Sequence, residues 1–332
     1  MSAYSYNILG IPEILLPKPD ISMEKWATIA CDQFTSNQKY WEQVETEVGD
    51  QPSTLKITFP EFYLGKIDET AKINAIQDEM RQYLAQELFT NHQGMILVER
   101  QIDNGIRHGL LATIDLEAYD YTKGSSSWIR ASEGTVDERI PPRMRIREGA
   151  PLEVPHILLL IDDPQKKLIE PLSALKSSLP VLYNFDLMMK SGHVRGYSLA
   201  IPEIENRIMT AIREMQSDEA LNEKYDLPGE QNRILFAVGD GNHSLATAKA
   251  IWEKHKAVLG PNHPARYALV EIENLHDPIL RFEPIHRVIF ERECPALEQL
   301  QAVFGDEIEI LPTGTEALFA EVDATPDGSQ DF

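Results

Sequence analysis

Hydrophobic residues recur with the period of an amphipathic helix in several parts of the chain. Between residues 68 and 89, five apolar residues fall on one helical face: Ile73, Ile76, Met80, Leu84 and Leu88. Residues 202–217 repeat this spacing after Pro202, a residue that suits the first turn of a helix. Spacings of three and four residues predict two helices with one buried face each.

Other apolar segments have the lengths and boundaries of strands. "HILLLI" at 156–161 and "RILFAV" at 233–238 are near-continuous apolar runs, typical of strands buried on both faces. Two further pairs of runs surround Asn104-Gly105 and Lys190-Ser191-Gly192, which predicts hairpins. Because hairpins alternate with helices, we expect an α+β fold with mixed, antiparallel-rich sheets and flanking helices.

The same pattern gives an expectation for the domain organisation. We expect one large composite domain over residues 1–320, open to subdivision into a hairpin-rich part at 90–200 and a second part at 201–320. Residues 321–332 are polar, and the end of the chain reads "DATPDGSQDF". This segment is either a disordered tail or a sign that the chain stops before its natural C-terminus.

A cluster of polar residues separates the strand that ends near Val238 from the helical pattern that follows. It consists of Gly239, Asp240, Gly241, Asn242, His243 and Ser244. The first amides of a helix lack intrahelical acceptors, and the helix dipole adds partial positive charge there, so an anion is favoured. The two glycines would let the backbone bend tightly and approach a ligand closely.

The other side chains of this turn suit phosphate chemistry. Asp240 could hold Mg²⁺ beside a phosphate, and His243 could donate to a phosphoryl oxygen or move a proton. The alternative is a purely structural turn in which Asn242 or Ser244 caps the helix. Both interpretations remain open at this point.

The segment "RMRIRE" concentrates arginine in an acidic protein. If it is a strand, the side chains of Arg143, Arg145 and Arg147 share one face at intervals of roughly 6.6 Å, which suits a polyphosphate or paired carboxylates. We expect these arginines to face the 239–244 turn. The alternative is a set of surface ion pairs with neighbouring acids.

Charge and composition narrow the classes of function. The 332 residues include 31 Lys and Arg against 53 Asp and Glu, a net charge of −22, which argues against nucleic acid as a partner. The chain has two cysteines, no signal-peptide pattern and no apolar run of roughly 20 residues. We therefore expect a cytoplasmic protein without a membrane partner. Oligomeric state is not predicted.

Four separated motifs resemble one protein family. "ACDQFTSNQKYW", "REGAPLEVPHILLLIDDP", "FAVGDGNHSLATAK" and "PIHRVI" are similar, in this order, to motifs of domain-of-unknown-function family 1015. The family's turn is in turn similar to those of ParB partition proteins, sulfiredoxin and the archaeal free-serine kinase, which bind nucleotide phosphates at this helix end. The resemblance implies phosphate contact by Gly241, Asn242 and His243, with Asp240 nearby. Ser244 departs from the wider group, which usually has arginine there.

The resemblance adds candidates outside the turn. It places Asp32 near the site as a general base or metal ligand, although a turn-forming role is the alternative. His286 and Arg287 combine a titratable group with an anion-binding one, and a structural pair is the alternative. The resulting hypothesis is a small-molecule kinase that uses ADP or ATP with Mg²⁺ and acts on a hydroxyl-bearing metabolite. The alternative function is a non-catalytic sensor or scaffold that binds an anion or nucleotide.

Overall fold

The computed structural model describes residues 8–29, 34, 37–102, 105–135, 137–154, 157–225, 234–280, 299, 302–303 and 305. Residues Met1–Ile279 form one compact unit, and Leu280–Phe332 form another. All the helices and strands given below belong to the first unit. No described helix combines the length and apolarity needed to cross a membrane.

Within the described residues the chain forms twelve strands and eight helices. The strands are β1 (Leu9–Gly10), β2 (Glu13–Pro17), β3 (Phe89–Gln93), β4 (Ile96–Ile102), β5 (Gly105–Asp115), β6 (Tyr119–Asp120), β7 (Ile129–Ala131), β8 (Leu158–Ile161), β9 (Val181–Asp186), β10 (His193–Ser198), β11 (Phe236–Asp240) and β12 (Tyr267–Asn274). The helices are α1 (Met23–Trp26), α2 (Gln38–Val48), α3 (Glu69–Ala85), α4 (Ile140–Arg147), α5 (Glu170–Ser173), α6 (Pro202–Met215), α7 (Asp218–Tyr225) and α8 (Asn242–Leu259).

Ten strands form one mixed sheet in the order β6-β7-β11-β8-β12-β5-β4-β10-β9, with β1 paired to β5. The strands β6, β7 and β11 are mutually parallel, and β8 is parallel to β12. The other pairings are antiparallel, including the two hairpins β4–β5 and β9–β10 that the turn residues predicted. The expected α+β fold with antiparallel-rich mixed sheets is therefore confirmed.

The largest buried cluster packs helices against this sheet. Leu245, Ala248 and Trp252 of α8 lie in it at spacings of three and four residues, as do Ile208 and Ile212 of α6. The helix predicted over 68–89 is α3, whose Ile76 and Met80 belong to a second cluster. Helix boundaries at Asp68 and Gly260 follow from an N-capping side chain and a glycine of positive φ.

The strand expected for "RMRIRE" is wrong, because residues Ile140–Arg147 form helix α4. Proline is compatible with the first helical turn, where N–H groups have no intrahelical partner, so Pro141 and Pro142 fit directly after Ile140, where this helix begins. Arginine is a good helix former, and two arginines in the last turn interact favourably with the helix dipole. The alternation of arginine with Met144 and Ile146 was therefore not a strand pattern.

Candidate functional site

The polar turn connects a strand to a helix, as the sequence predicted. Strand β11 ends at Asp240, Gly241 adopts the left-handed conformation (φ 81°, ψ 27°), and α8 begins at Asn242. A residue with a Cβ is strained at that φ, so glycine fits the turn. The N-cap residue of α8 is Gly241, which has no side chain that could cap the helix. The amides of Asn242, His243 and Ser244 precede the first intrahelical bond, from Leu245 N to Gly241 O.

The two residues before Gly241 have structural tasks of their own. The pairing of β11 with β8 shifts register between Val238 and Asp240, and Gly239 lies at this bulge. A Cβ on Gly239 would approach Leu160 Cγ to 2.9 Å, so glycine is required here by the packing of β8. The Asp240 carboxylate accepts a hydrogen bond from the amide of Gly241 at 2.6 Å. One of the expected anion-binding amides is therefore occupied by the turn itself.

Asn242 supplies a buried polar group beside these amides. The residue is 6 % exposed, its Nδ2 donates to Ser132 Oγ at 3.3 Å, and its Oδ1 has no hydrogen-bond partner among the described residues. Buried polar atoms are normally hydrogen-bonded. A 180° rotation of the amide lets Ser132 donate to Oδ1 and turns the NH₂ group towards the position that has no partner.

The neighbouring strands bring further polar residues to this end of the sheet. Because β6, β7 and β11 are parallel, their carboxyl ends lie at one edge, and ligands of α/β proteins commonly bind at such ends. Ser132 follows β7 directly. Three residues later the buried hydroxyl of Thr135 also has no partner in the part of the chain that the structure describes.

Helix α4 packs against α8 and brings one arginine to the first turn of α8. Arg147 donates to the backbone oxygen of Ser244 at 3.2 Å and forms a two-point ion pair with Glu153 (2.8 and 2.7 Å). Glu148, at the end of α4, binds Lys254 at 2.7 Å and His255 at 2.6 Å, both on α8. Hydrogen bonds from these two residues lower the pKa of Glu148.

The three arginines of "RMRIRE" do not share one face. Arg143 and Arg147 are four residues apart, so both lie on the side of α4 towards a pocket that also includes Ser244. Arg145 is 66 % exposed and pairs with Glu69 at 3.2 Å instead. The expectation of a common arginine face is therefore wrong for Arg145, because side chains two apart diverge around a helix.

This pocket has a volume of about 230 Å³ and is mainly apolar. Its apolar walls are Ile57, Phe59, Leu64, Ile76, Met80, Ile146, Ala150, Leu152 and Val154. Polar groups come from Thr58, Arg143, Arg147, Glu153, Ser244 and Thr247. Ser244 also belongs to the 239–244 turn, so the pocket reaches the start of α8.

The remaining candidates have mixed outcomes. Asp32, His286 and Arg287 lie outside the described residues. Ser132, Thr135 and Glu153 were not anticipated, since they stand in polar segments without a motif, and only the strand order brings Ser132 to the edge where β11 ends. Among the described residues, no three His, Cys, Asp or Glu side chains form a group that could hold a metal ion.

Comparisons with known proteins identify a family but no characterised relative. A search of curated proteins and a search of solved structures gave no match. A family model described as "Protein of unknown function (DUF1015)" matches residues 13–330. Since this match covers nearly the whole sequence, the chain belongs to the DUF1015 family.

Proposed function

We propose that the protein binds the phosphate groups of a nucleotide at the turn between β11 and α8 and transfers phosphate to a small hydroxyl-bearing metabolite. The observation that carries the proposal is the start of α8: its N-cap residue is a glycine with no capping side chain, and Oδ1 of the buried Asn242 beside it has no hydrogen-bond partner among the described residues. Backbone amides and a side-chain NH₂ group together suit phosphate oxygens.

The transfer step rests on the candidate residues and on the similarity of the turn to that of the free-serine kinase. Phosphoryl transfer depends mainly on positioning and charge neutralisation. Mg²⁺ is commonly held by one or two carboxylates together with substrate phosphates, so the single carboxylate of Asp240 fits such a site. His243 would donate to a phosphoryl oxygen, and Asp32 would orient the acceptor hydroxyl. Bound Mg²⁺ would supply neutralisation of the phosphate charge.

A sensor or scaffold is the second candidate, and one feature of the charges favours it. The Arg147 guanidinium is already paired with Glu153, and one oxygen of Asp240 already accepts from Gly241. The site therefore offers amides for binding an anion, while its charged side chains are engaged within the protein. Binding without turnover is the behaviour that this arrangement supports.

Thermal-shift measurements test the binding step. We expect ATP or ADP with Mg²⁺ to raise the melting temperature, because a ligand that binds the folded state stabilises it. The variant Ser244→Asp adds a negative charge in the first turn, where it favours the helix by roughly 0.3–1 kcal/mol but competes with phosphate. The shift should therefore disappear in this variant while the fold remains stable.

The matched control is Val258→Asp, which adds the same charge at a site that is 88 % exposed on the same helix. This position lies 14 residues further along, roughly 21 Å from Ser244. Its nucleotide shift should equal that of the wild type. If no nucleotide shifts the melting temperature, or if both variants lose the shift alike, the proposal is wrong. Release of ADP only when a hydroxyl acceptor is added would separate the kinase from the sensor.

A further inference from the structure

We propose that the pocket between α3, α4 and the first turn of α8 binds a small carboxylate with an unbranched apolar chain. This pocket adjoins the phosphate site at Ser244, whereas the residues Gly239–His243 are not among its lining. Pockets for drug-sized ligands measure roughly 300–1,000 Å³, so about 230 Å³ points to a smaller molecule.

The apolar walls of the pocket belong in part to a hydrophobic cluster of buried residues. Ile57, Ile76 and Met80 are at most 5 % exposed, and all three face both the cluster and the pocket. The pocket is partly open to solvent, so an apolar ligand that enters it removes this apolar surface from water. A hydrocarbon chain would fill the space, and each methylene group buried would raise affinity about fourfold.

The polar end of the pocket already shows how a carboxylate binds there. Both oxygens of Glu153 contact the Arg147 guanidinium, with Nε to Oε1 at 2.8 Å and a terminal nitrogen to Oε2 at 2.7 Å. Such two-point contacts are the geometry in which arginine recognises carboxylates. The Glu153 side chain thus stands in for the carboxylate of a ligand.

The exposures of Arg147 and Glu153 allow a ligand carboxylate to replace that of Glu153. The Arg147 side chain is 17 % exposed and is fixed by its bond to Ser244 O, whereas Glu153 is 46 % exposed. Glu153 can therefore turn into solvent while Arg147 remains in place. Arg143 lines the same pocket and adds a second positive charge, which is notable in a chain of net charge −22. These charges favour an anion over a neutral or cationic amphiphile.

Calorimetric titration of the full-length protein tests this inference with octanoate as the probe. Hexanoate, octanol and octylammonium serve as comparison ligands with a shorter chain or a different head group. We expect octanoate to bind roughly 15-fold more tightly than hexanoate, which has two fewer methylene groups. Octanol and octylammonium should bind more weakly than octanoate. Equal binding of all three head groups, or no binding of octanoate, would overturn the proposal.

Variants at the polar end locate the binding site. Arg147→Gln should weaken octanoate binding at least tenfold, and Glu153→Gln should strengthen it because the competing carboxylate is removed. Arg145→Gln is the matched control, since Arg145 lies on the same helix but pairs with Glu69 outside the pocket. Ala150→Leu should block the apolar part. If Arg147→Gln and Arg145→Gln behave alike, the site is not this pocket.

The octanoate and nucleotide experiments test the two sites independently. Octanoate binding in the absence of any nucleotide shift supports the pocket alone, and the reverse result supports the phosphate site alone. Each variant's melting temperature without ligand shows whether its fold is intact.

Discussion

The surroundings of one buried carboxylate, Glu273, oppose its ionisation. It lies on β12, is 1 % exposed, and has Arg107 Nε at 2.9 Å from its Oε1. Burial raises the pKa of Glu273 to about 7, and the charge of Glu271 on the same strand contributes, while Arg107 acts in the opposite direction. The carboxyl group therefore changes charge in the neutral range.

This pKa predicts how stability depends on pH. Because the folded-state pKa exceeds the unfolded value, the native state holds the proton more firmly, and this stabilisation is complete below about pH 4.5. This stabilisation is lost as pH rises to about 7. One pKa unit corresponds to roughly 1.4 kcal/mol, so the free energy of unfolding falls by about 3 kcal/mol in all.

Glu273→Gln should therefore flatten this pH dependence and raise the free energy of unfolding at pH 8. Denaturant titrations between pH 5 and 8 measure both effects. Glu214→Gln, at an exposed position of α6, is the control and should follow the wild type. Parallel curves for the wild type and Glu273→Gln would contradict the assignment.

At the level of elements, local sequence patterns predicted helices with clear amphipathic spacing and strands with clear apolar runs. The helices α3, α6 and α8, the two hairpins and the strand–turn–helix around Gly241 were predicted in this way. Helix α4 was mistaken for a strand because eight residues are too few to distinguish a period of two from one of 3.6. What decided its structure was the tertiary contact with α8 and the prolines of its first turn.

One buried ion pair joins the end of β5 to the start of β12. Arg266 donates to both oxygens of Asp115, at 2.9 and 2.5 Å, and the Asp115 side chain is 4 % exposed. Asp115→Asn should cost about 3 kcal/mol, because it leaves a largely buried guanidinium without its counter-charge. Asp186→Asn removes an exposed partner of His193 and should cost at most about 1 kcal/mol. Denaturant unfolding of both variants compares the two pairs, and equal costs would show that burial does not matter here.

At the scale of the whole molecule, the sequence could not provide the order of the strands. The candidate site depends on β7 lying beside β11, although more than a hundred residues separate them in sequence. The pairing of β5 with β12 spans a similar separation. Such contacts depend on which faces pack together across the sheet, and no local pattern encodes them. Ser132 was missed for this reason. The arginines of α4 were placed on one face because their segment was predicted as a strand and is a helix.

The net charge of −22 makes a prediction about partners at this scale. DNA binding requires cations that replace counterions along the phosphate backbone, and the acidic surface opposes this over a Debye length of about 10 Å at 0.1 M salt. Arg145 and Arg147, which could have formed a basic surface, are paired with Glu69 and Glu153. We therefore expect no binding of duplex DNA at micromolar protein, measured by fluorescence anisotropy at 50 and 200 mM salt, with a basic DNA-binding protein as positive control.

Binding that weakens steeply between these two salt concentrations would instead favour a ParB-like role. In that case Arg147→Gln should reduce the slope of log affinity against log salt concentration by about one unit.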